Sequence, residues 1–221
     1  MRLLHVTDFH FRRRWFEWLA REALRYDACC YTGDFLDMLV MDTPTERQRQ
    51  VQWVSNWLKK FPGRLFVCSG NHDGGAGDWL KKAARPGVYV DGAVERLDGY
   101  CFACCPWLGV PPMAGPEPPS IILAHAPPEG TAVSAGFGCE MGSFEVAEAA
   151  RFLPLGSLIL SGHVHEPRRW HARLHHTWCF NPGVEANAVI PNHIVIDTDK
   201  RWALFHRQDG EALDQIRLGS N

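Results

Sequence analysis

The chain has 221 residues, of which 46% are hydrophobic and 22% are charged, and its formal net charge is −2. This length favours a single domain with a sizeable core, and the charge balance excludes the broad basic field typical of nucleic-acid-binding proteins. No apolar run approaches the roughly 18–20 residues that a membrane-spanning helix needs. The first residues belong to a strand-like apolar run rather than to a signal peptide, so we expect a cytoplasmic protein without a membrane or nucleic-acid partner.

Three polar clusters in the first third of the chain each follow a short apolar run typical of a buried strand. Asp8 and His10 follow residues 3–6, Asp34 follows residues 28–31, and Asn71, His72 and Asp73 follow residues 65–68. Between these clusters, apolar residues at helical spacing predict helices over residues 15–24 and 44–61. The stretch from Thr43 to Glu46 has the pattern of a capping box with Pro44 at the first helical position.

The second half of the chain begins with short strand patterns instead of strand–helix alternation. Strands are predicted over residues 88–90, 93–97 and 100–104, which indicates a second sheet packed face to face on the first. The irregular residues 105–120 are rich in Pro and Gly. A long loop of this kind is a candidate wall of a binding cleft.

Two further polar clusters follow apolar runs later in the chain. His125 follows residues 121–124, and His163 and His165 follow residues 158–160. Between them, Ser143 predicts the N-terminal cap of a helix over residues 144–152. Four strands are predicted after the last cluster, near residues 169–174, 177–180, 193–197 and 202–206. We expect a single domain over residues 1–208 and a loosely held C-terminal tail over residues 209–221.

The eight cysteines do not indicate a disulfide framework, because such frameworks belong to small secreted chains. Cys29, Cys30, Cys68 and Cys179 lie in apolar runs and are interpreted as small core residues. Cys101 and Cys104, followed by Cys105, have the spacing of half a zinc ribbon. No second pair with that spacing follows them, so a structural zinc site is disfavoured there.

The five polar clusters share one design, in which a strand ends in Asp, Asn or His. The carboxyl ends of strands in an open α/β sheet meet at one rim, where ligands bind. Five clusters of such side chains therefore predict a metal site at this rim. A mixed set of imidazole, carboxylate and amide ligands suits Mn, Fe, Zn, Co or Ni, and the lack of cysteine in the clusters disfavours iron–sulfur chemistry.

The series Asp-x-His, Gly-Asp, Gly-Asn-His-Asp, His and Gly-His-x-His resembles the motif set of the calcineurin-like metallophosphoesterase family. It is carried here by Asp8 and His10, Gly33 and Asp34, residues 70–73, His125 and residues 162–165. The resemblance implies an α/β fold in which two mixed sheets are flanked by helices, a four-layer α/β/β/α sandwich. Residues 125–128, 138–143 and 181–183 are also similar to the compact branch that includes the brain metallophosphodiesterases.

The resemblance also implies a ligand set and a mechanism. One divalent ion would be held by Asp8, His10, Asp34 and His165, and the other by Asp34, Asn71, His125 and His163. The two carboxylate oxygens of Asp34 would bridge the ions, of which Mn is the expected metal, and a bridging hydroxide would attack phosphorus. His72 would be the general acid that protonates the leaving oxygen, oriented by Asp73.

The sequence therefore predicts a dinuclear-metal phosphoesterase that acts on a small-molecule phosphate mono- or diester. Cyclic nucleotides and phosphoproteins stay open as substrates, because the metal set is common to all of these reactions, and the oligomeric state is open as well. The alternative from another class is a catalytically inactive metal-binding scaffold or sensor on the same fold. It is disfavoured because such relatives lose ligands, whereas all seven ligand residues and His72 are present here.

Overall fold

The apolar runs of the sequence form two large sheets with helices on their outer faces. The computed structural model describes residues 1–37, 39, 43–74, 76–113, 118–207 and 210–219. Its strands and helices are, in chain order, β1 (Arg2–Val6), α1 (Arg13–Glu22), β2 (Ala28–Thr32), α2 (Pro44–Lys60), β3 (Leu65–Cys68), α3 (Ala76–Ala83), β4 (Val88–Tyr89), β5 (Val94–Leu97), β6 (Tyr100–Cys104), β7 (Ile121–Leu123), β8 (Ala135–Gly136), β9 (Cys139–Glu140), α4 (Phe144–Ala149), β10 (Leu158–Leu160), β11 (His171–Leu174), β12 (Thr177–Phe180), β13 (His193–Asp197), β14 (Trp202–His206) and β15 (Ala212–Arg217). None of the described helices is long and apolar enough to cross a membrane.

Both sheets are mixed, with parallel strands at their centres. The first has the strand order β15-β14-β13-β1-β2-β3-β4, in which β1 to β4 are parallel and β13 to β15 continue the sheet in antiparallel pairing. The second has the order β11-β12-β10-β7-β6-β5, in which only the edge strands β11 and β5 pair antiparallel. The carboxyl ends of the parallel strands are where the polar clusters lie.

Successive side chains along a strand point to opposite faces of the sheet, so they pack in separate cores. Leu3 of β1 packs between the two sheets, in a core where the rings of Phe66 and Phe102 stack with centroids 4.1 Å apart. The next residue, Leu4, faces the outer core that α1 and α2 cover. The outer face of the second sheet packs against α4. The layers are therefore helix, sheet, sheet and helix, and the predicted α/β/β/α sandwich is confirmed.

Three local expectations need correction. The strand predicted at residues 88–90 pairs with β3 and so belongs to the first sheet, not the second. The Thr43 side chain makes no capping bond, and α2 simply begins at Pro44. In contrast, Ser143 caps α4 as expected, by accepting a hydrogen bond from the N–H of Val146.

The expected loosely held tail over residues 209–221 contains a strand of the first sheet, and the expectation is wrong there. Residues Ala212–Arg217 form β15, which pairs antiparallel with β14 at the edge of the first sheet. Ile216 also packs against the core between the sheets. Backbone pairing therefore holds this segment, although its sequence carries few large apolar residues.

Candidate metal centre

Seven polar side chains from five strand ends meet at one place. Asp8 and His10 follow β1, Asp34 follows β2, Asn71 follows β3, His125 follows β7, and His163 and His165 follow β10. These strands come from both sheets and are parallel members of each. The structure thus brings together every residue that the sequence predicts as a metal ligand.

The backbone is left-handed at four of these residues. The φ angles are 54° at Asp8, 43° at His10, 60° at Asp34 and 67° at His163. This conformation costs a residue other than glycine on the order of 1–3 kcal/mol, so it persists only where the surrounding structure imposes it. Here the N–H of Asp8 bonds to the carbonyl of Gly33, and the N–H of His10 bonds to that of Asp34, each at 3.0 Å. Such strain, concentrated at strand ends, is typical of functional sites.

The first group of side chains surrounds one oxygen of Asp8. Its Oδ1 lies 3.6 Å from Nε2 of His165, 3.8 Å from Nε2 of His10 and 3.9 Å from Nε2 of His125. The other oxygen, Oδ2, accepts hydrogen bonds from Thr7 Oγ1 at 2.6 Å and from the backbone N–H of His163 at 3.1 Å. Those bonds orient the carboxylate so that Oδ1, which is buried and has no hydrogen-bond partner, faces the imidazoles.

The second group is built around Asp34 and Asn71. Asp34 Oδ2 lies 3.3 Å from Nε2 of His125 and 3.9 Å from Nε2 of His10, while Asp34 Oδ1 accepts the backbone N–H of His72 at 2.8 Å. Asn71 Oδ1 lies 2.9 Å from both Nε2 of His125 and Nδ1 of His163. Asp34 Oδ2, rather than both carboxylate oxygens, faces imidazoles of the two groups. Asp34 Oδ2 is thus the oxygen best placed to contact ions in both groups, and the expected bridge through both oxygens stays a prediction.

Backbone carbonyl groups fix the tautomers of two imidazoles. Nδ1 of His125 donates to the carbonyl of Thr32 at 2.6 Å, and Nδ1 of His10 donates to that of Leu36 at 3.3 Å. In the neutral form of each ring the proton therefore lies on Nδ1, and the lone pair of Nε2 faces the centre, as in metal-binding histidines. Nε2 of His10 and Nε2 of His165 lie only 3.1 Å apart. Two lone pairs at this distance repel each other unless a cation or a proton lies between them.

The arrangement fits a metal ion better than a hydrogen-bond network. The distances around Asp8 Oδ1 are too long for hydrogen bonds, and a buried carboxylate oxygen without a partner is costly. Two atoms that bind one ion at about 2.1 Å lie about 3.0–3.4 Å apart, so small side-chain shifts would close the group around an ion. Among the described residues, two sets have ligand atoms that all lie within 4.8 Å of one another: Asp8 with His10 and His165, and Asp8 with Asp34 and His125.

The two carboxylates make the site attractive to positive charge. Burial lowers the pKa of His125, but the attraction of Asp34 and then Asp8 outweighs it and raises that pKa to about 10. Burial likewise raises the pKa of Asp8, but the attraction of His165, followed by the charge of His125, outweighs it and holds that pKa well below its usual range. The pKa of His165 is raised as well, chiefly by its interaction with Asp8. Protons on His125 and His165 therefore supply positive charge that a divalent ion would supply when bound.

His72 lies at the edge of the same centre. Its side chain is 24% exposed, and its Nε2 lies 4.0 Å from Asp34 Oδ2. Its ring meets the ring of His10 edge to face, with centroids 5.3 Å apart. The ring therefore borders both the candidate ligands and the solvent.

Asp73 does not orient His72, and that expectation is wrong. Its carboxylate is fully buried and accepts backbone N–H groups from two loops. Oδ1 accepts from Phe35 at 2.8 Å and Leu36 at 3.2 Å, and Oδ2 accepts from Gly70 at 2.7 Å and Asp34 at 3.0 Å. Residues Asn71–Asp73 form a 3₁₀ turn, which points consecutive side chains in different directions. Asp73 is therefore an anchor for the loops that carry Asp34 and Asn71.

Two buried side chains that the motif series does not include also hold the site. The hydroxyl of Tyr31 donates to the carbonyl of Asp34 at 3.0 Å. Nδ2 of Asn181 donates to the carbonyls of Gly162 at 2.9 Å and Val164 at 3.0 Å, within the loop that carries His163 and His165. The sequence signal for Asn181 is a polar residue directly after an apolar run.

The long loop after β6 supplies a wall of the centre, as predicted. The ring of Trp107 lies 5.5 Å from that of His125 and 5.4 Å from that of His163, measured between centroids. Its backbone N–H donates to Ser69 Oγ at 2.9 Å, which ties this loop to the one that carries Asn71. Residues 114–117 of the loop lie outside the described residues.

The cysteines of β6 and the residue after it belong to the cores. Cys101, Cys104 and Cys105 are buried and free. Cys104 packs between the sheets, whereas Cys105 packs in the outer core under α4. Cys104 and Cys105 thus face opposite sides of the second sheet, an arrangement that does not suit shared zinc coordination.

Comparison with known proteins identifies the family. No curated protein sequence matches the chain. Three solved structures share its fold: the TT1561 protein of Thermus thermophilus (TM-score 0.55, 16% identity), an archaeal protein described as a novel phosphodiesterase (0.53, 16%) and Yfce, a phosphoesterase from E. coli (0.51, 15%). The alignments cover 98–99% of this chain and 99–100% of those chains. The family model for calcineurin-like phosphoesterases matches residues 1–167, which contain every candidate ligand. The chain therefore belongs to the calcineurin-like phosphoesterase family.

Proposed function

We propose that the chain is a dinuclear-metal phosphoesterase that hydrolyses small-molecule phosphate mono- or diesters. The observation that carries this proposal is Asp8 Oδ1, a buried oxygen without a hydrogen-bond partner that has three imidazole nitrogens within 3.9 Å. Family membership supports the reaction class. The description of the archaeal structural relative as a phosphodiesterase supports diesters as substrates to test.

In this proposal each ion takes ligands from both sheets. Asp8, His10, Asp34 and His165 would hold one ion, and Asp34, Asn71, His125 and His163 would hold the other. Bound ions would supply Lewis acidity to the phosphoryl oxygens and lower the pKa of a bound water toward about 7. We propose Mn as the metal, and Fe, Zn, Co or Ni suit the same ligands.

His72 is the proposed general acid. Its position beside Asp34 Oδ2 and its partial exposure allow it to protonate the leaving oxygen as the P–O bond breaks and to regain a proton from solvent. Since Asp73 is occupied by backbone N–H groups, another contact must orient the residue. The hydrogen bond from the His72 backbone N–H to Asp34 Oδ1 fixes the His72 backbone, and the edge-to-face contact with His10 restricts the ring.

The test is a panel of phosphate esters assayed with metal-stripped and Mn-reloaded protein, with elemental analysis of each sample. Hydrolysis should require metal and should occur in samples that contain about two ions per chain. Asp34→Asn should lose both metal and turnover. Full turnover in metal-free protein would refute the mechanism. Two bound ions without turnover on any ester would favour the scaffold alternative. The cytoplasmic location stays a prediction from the sequence.

A further inference from the structure

Two clefts of different character open beside the candidate metal centre. One has a volume of about 730 Å³ and is lined in part by His165; we call it the basic cleft. The other has a volume of about 690 Å³ and is lined in part by His125 and His163; we call it the acidic cleft. Clefts of this size accommodate small-molecule groups. A substrate at the centre therefore meets a different surface on each side.

The basic cleft carries unpaired positive charge. Its lining includes four arginines, which are Arg12, Arg168, Arg169 and Arg207, and three acids, which are Glu166, Glu185 and Asp214. Two of the acids are already engaged. Glu185 forms an ion pair with Arg207 at 3.3 Å, and Asp214 accepts the indole N–H of Trp170 at 2.9 Å. The four guanidinium groups still outnumber the three carboxylates, so the lining has a net positive charge that favours an anion.

The acidic cleft has the opposite charge. Its lining includes Glu129, Glu140 and Glu145, and no lysine or arginine is among its described lining residues. Apolar side chains, among them Met141 and Phe144, complete this lining. An anionic group attached to the substrate would be repelled here. The charge difference between the clefts would therefore fix which way an asymmetric phosphoester lies across the centre.

Arg12 is the arginine of the basic cleft that follows the metal-site motif most closely, two residues after His10. Its guanidinium lies 4.8 Å from the centre of the Trp15 ring, which restrains the side chain. Within the described part of the chain, its hydrogen bond to the carbonyl of Phe9 is a long one, 3.4 Å. A guanidinium has five N–H donors, so most of those of Arg12 are free to bind a ligand. Its charge lies within electrostatic range of Asp37 and, more weakly, of Asp8.

The two arginines after Arg12 are placed differently. Arg13 lies over the rings of Phe11 and Trp53, at 5.0 Å and 5.2 Å from their centres. Arg14 is exposed, and neither it nor Arg13 lines the basic cleft. Arg12 thus differs from its two neighbours, because it faces a cleft beside the metal centre.

We propose that the basic cleft binds a second anionic group of the substrate, a carboxylate or phosphate on an arm of the ester, with Arg12 as its main ligand. The proposal rests on the proposed function, since it assumes that the phosphoryl group lies at the metal centre. The substrate class is therefore a phosphoester that carries a further negative charge. Arg168 and Arg169 line the same cleft and would accommodate longer arms.

The first experiment compares pairs of p-nitrophenyl phosphodiesters on the Mn-loaded protein. In each pair the second arm ends in a carboxylate or in the uncharged carboxamide, and the arm has one, two or three methylenes. The leaving group and the reacting phosphorus are the same within a pair. The ratio of kcat/KM for the carboxylate ester to kcat/KM for the carboxamide ester therefore measures the effect of the added charge. We expect the carboxylate to be preferred by about 10- to 100-fold at the best length. Equal values at every length would overturn the proposal.

Variants then locate the charge that is responsible. Arg12→Gln should bring this ratio close to one, mainly by raising KM for the carboxylate ester. Arg12→Lys should restore part of the preference for the carboxylate. Arg14→Gln is the matched control, since it removes the same charge two residues away and outside the cleft; it should keep the wild-type ratio. An equal loss in both Gln variants would overturn the proposal, because the preference would then arise from the general charge of the helix. Thermal unfolding of each variant separates a folding defect from a binding defect.

Calorimetry tests the same cleft without turnover. Phosphonoalkanoates should bind the Mn-loaded protein more tightly than alkylphosphonates of the same length, and Arg12→Gln should remove the difference. Equal binding of the two compounds would overturn the proposed anion site even if all esters are hydrolysed. Tighter binding of the phosphonoalkanoates without hydrolysis of any ester would support the anion site and reject the proposed function.

Discussion

Replacing Asp73 with Asn distinguishes two roles for this residue: the anchoring of two loops, which the structure shows, and the orientation of His72, which its sequence position suggests. The side chain is fully buried, and each carboxylate oxygen accepts two backbone N–H groups. Asn has almost the same shape but keeps one acceptor oxygen and gains a donor. Two of the four N–H groups would therefore face another N–H group, and the loops that carry Asp34 and Asn71 would lose half of their anchor.

The size of the effect follows from those bonds. A buried donor that loses its acceptor costs about 1–3 kcal/mol, so two of them cost about 2–6 kcal/mol. In a chain of this size, each kcal/mol lowers Tm by about 2–4 °C, so Asp73→Asn should lower Tm by about 4–24 °C. Burial, and then the charge of Asp34, raise the pKa of Asp73 to about 7. The comparison should therefore be made above pH 8, where the wild-type carboxylate is ionised.

Thermal unfolding of the metal-free protein measures this loss without a contribution from metal binding. Asp78→Asn is the control, because Asp78 is exposed in the first turn of α3 and loss of its charge there is worth about 1 kcal/mol or less. The reasoning would be refuted if Asp73→Asn kept the wild-type Tm and lost turnover only on esters with poor leaving groups. That result would show that Asp73 acts through His72 after all.

The remaining predictions concern the metals, the general acid and two structural contacts. Chelation should abolish turnover and Mn should restore it, as measured by activity together with elemental analysis; turnover that survives complete metal removal would contradict this. His72→Ala should keep both ions and lose about 10²–10⁴-fold on alkyl esters but far less on p-nitrophenyl esters, and equal losses would show that His72 positions the phosphoryl group instead. Asn181→Ala should lower stability by at least about 2 kcal/mol and weaken Mn binding, because it removes the donors to the carbonyls of Gly162 and Val164; unchanged Mn affinity would contradict the supporting role. Gly70→Ala should weaken Mn binding, because its Cβ would overlap Asp34 Oδ1, whereas Gly219→Ala, which meets nothing within 4 Å, should not.

The candidate ligands could be predicted because each one follows an apolar run, and strand ends in such folds share a rim. The role of Asp73 could not be predicted in the same way. Adjacency to His72 suggested a pair, but a carboxylate in a tight turn can instead accept N–H groups from neighbouring loops. Those donors belong to residues 34–36 and 70, and their proximity depends on how β2 and β3 pair. The supporting bonds of Asn181 depend on tertiary placement in the same way.

The strands differ in the same way. Some are visible as a pattern in the sequence, and others depend on pairing with a neighbouring strand. The central strands are buried on both faces and read as continuous apolar runs, which makes them visible in the sequence. β15 is an edge strand in which Leu213 is 56% exposed, so its alternation is weak. Its position depends on backbone pairing with β14. Strand preference at an edge reflects such neighbours more than the residues themselves.

Bound cations would relieve two of the three unfavourable features of the site. Left-handed backbone at Asp8, His10, Asp34 and His163, an unpartnered carboxylate oxygen and two facing imidazole nitrogens each cost free energy in the metal-free chain. The anchors Asp73, Tyr31 and Asn181 hold these features in place, since each of them bonds to the backbone of a ligand-bearing loop. Cations at the centre would pair with the free oxygen and separate the facing nitrogens at once. The chain thus maintains a strained arrangement that becomes favourable when it is occupied, which is the expected property of a preformed metal centre.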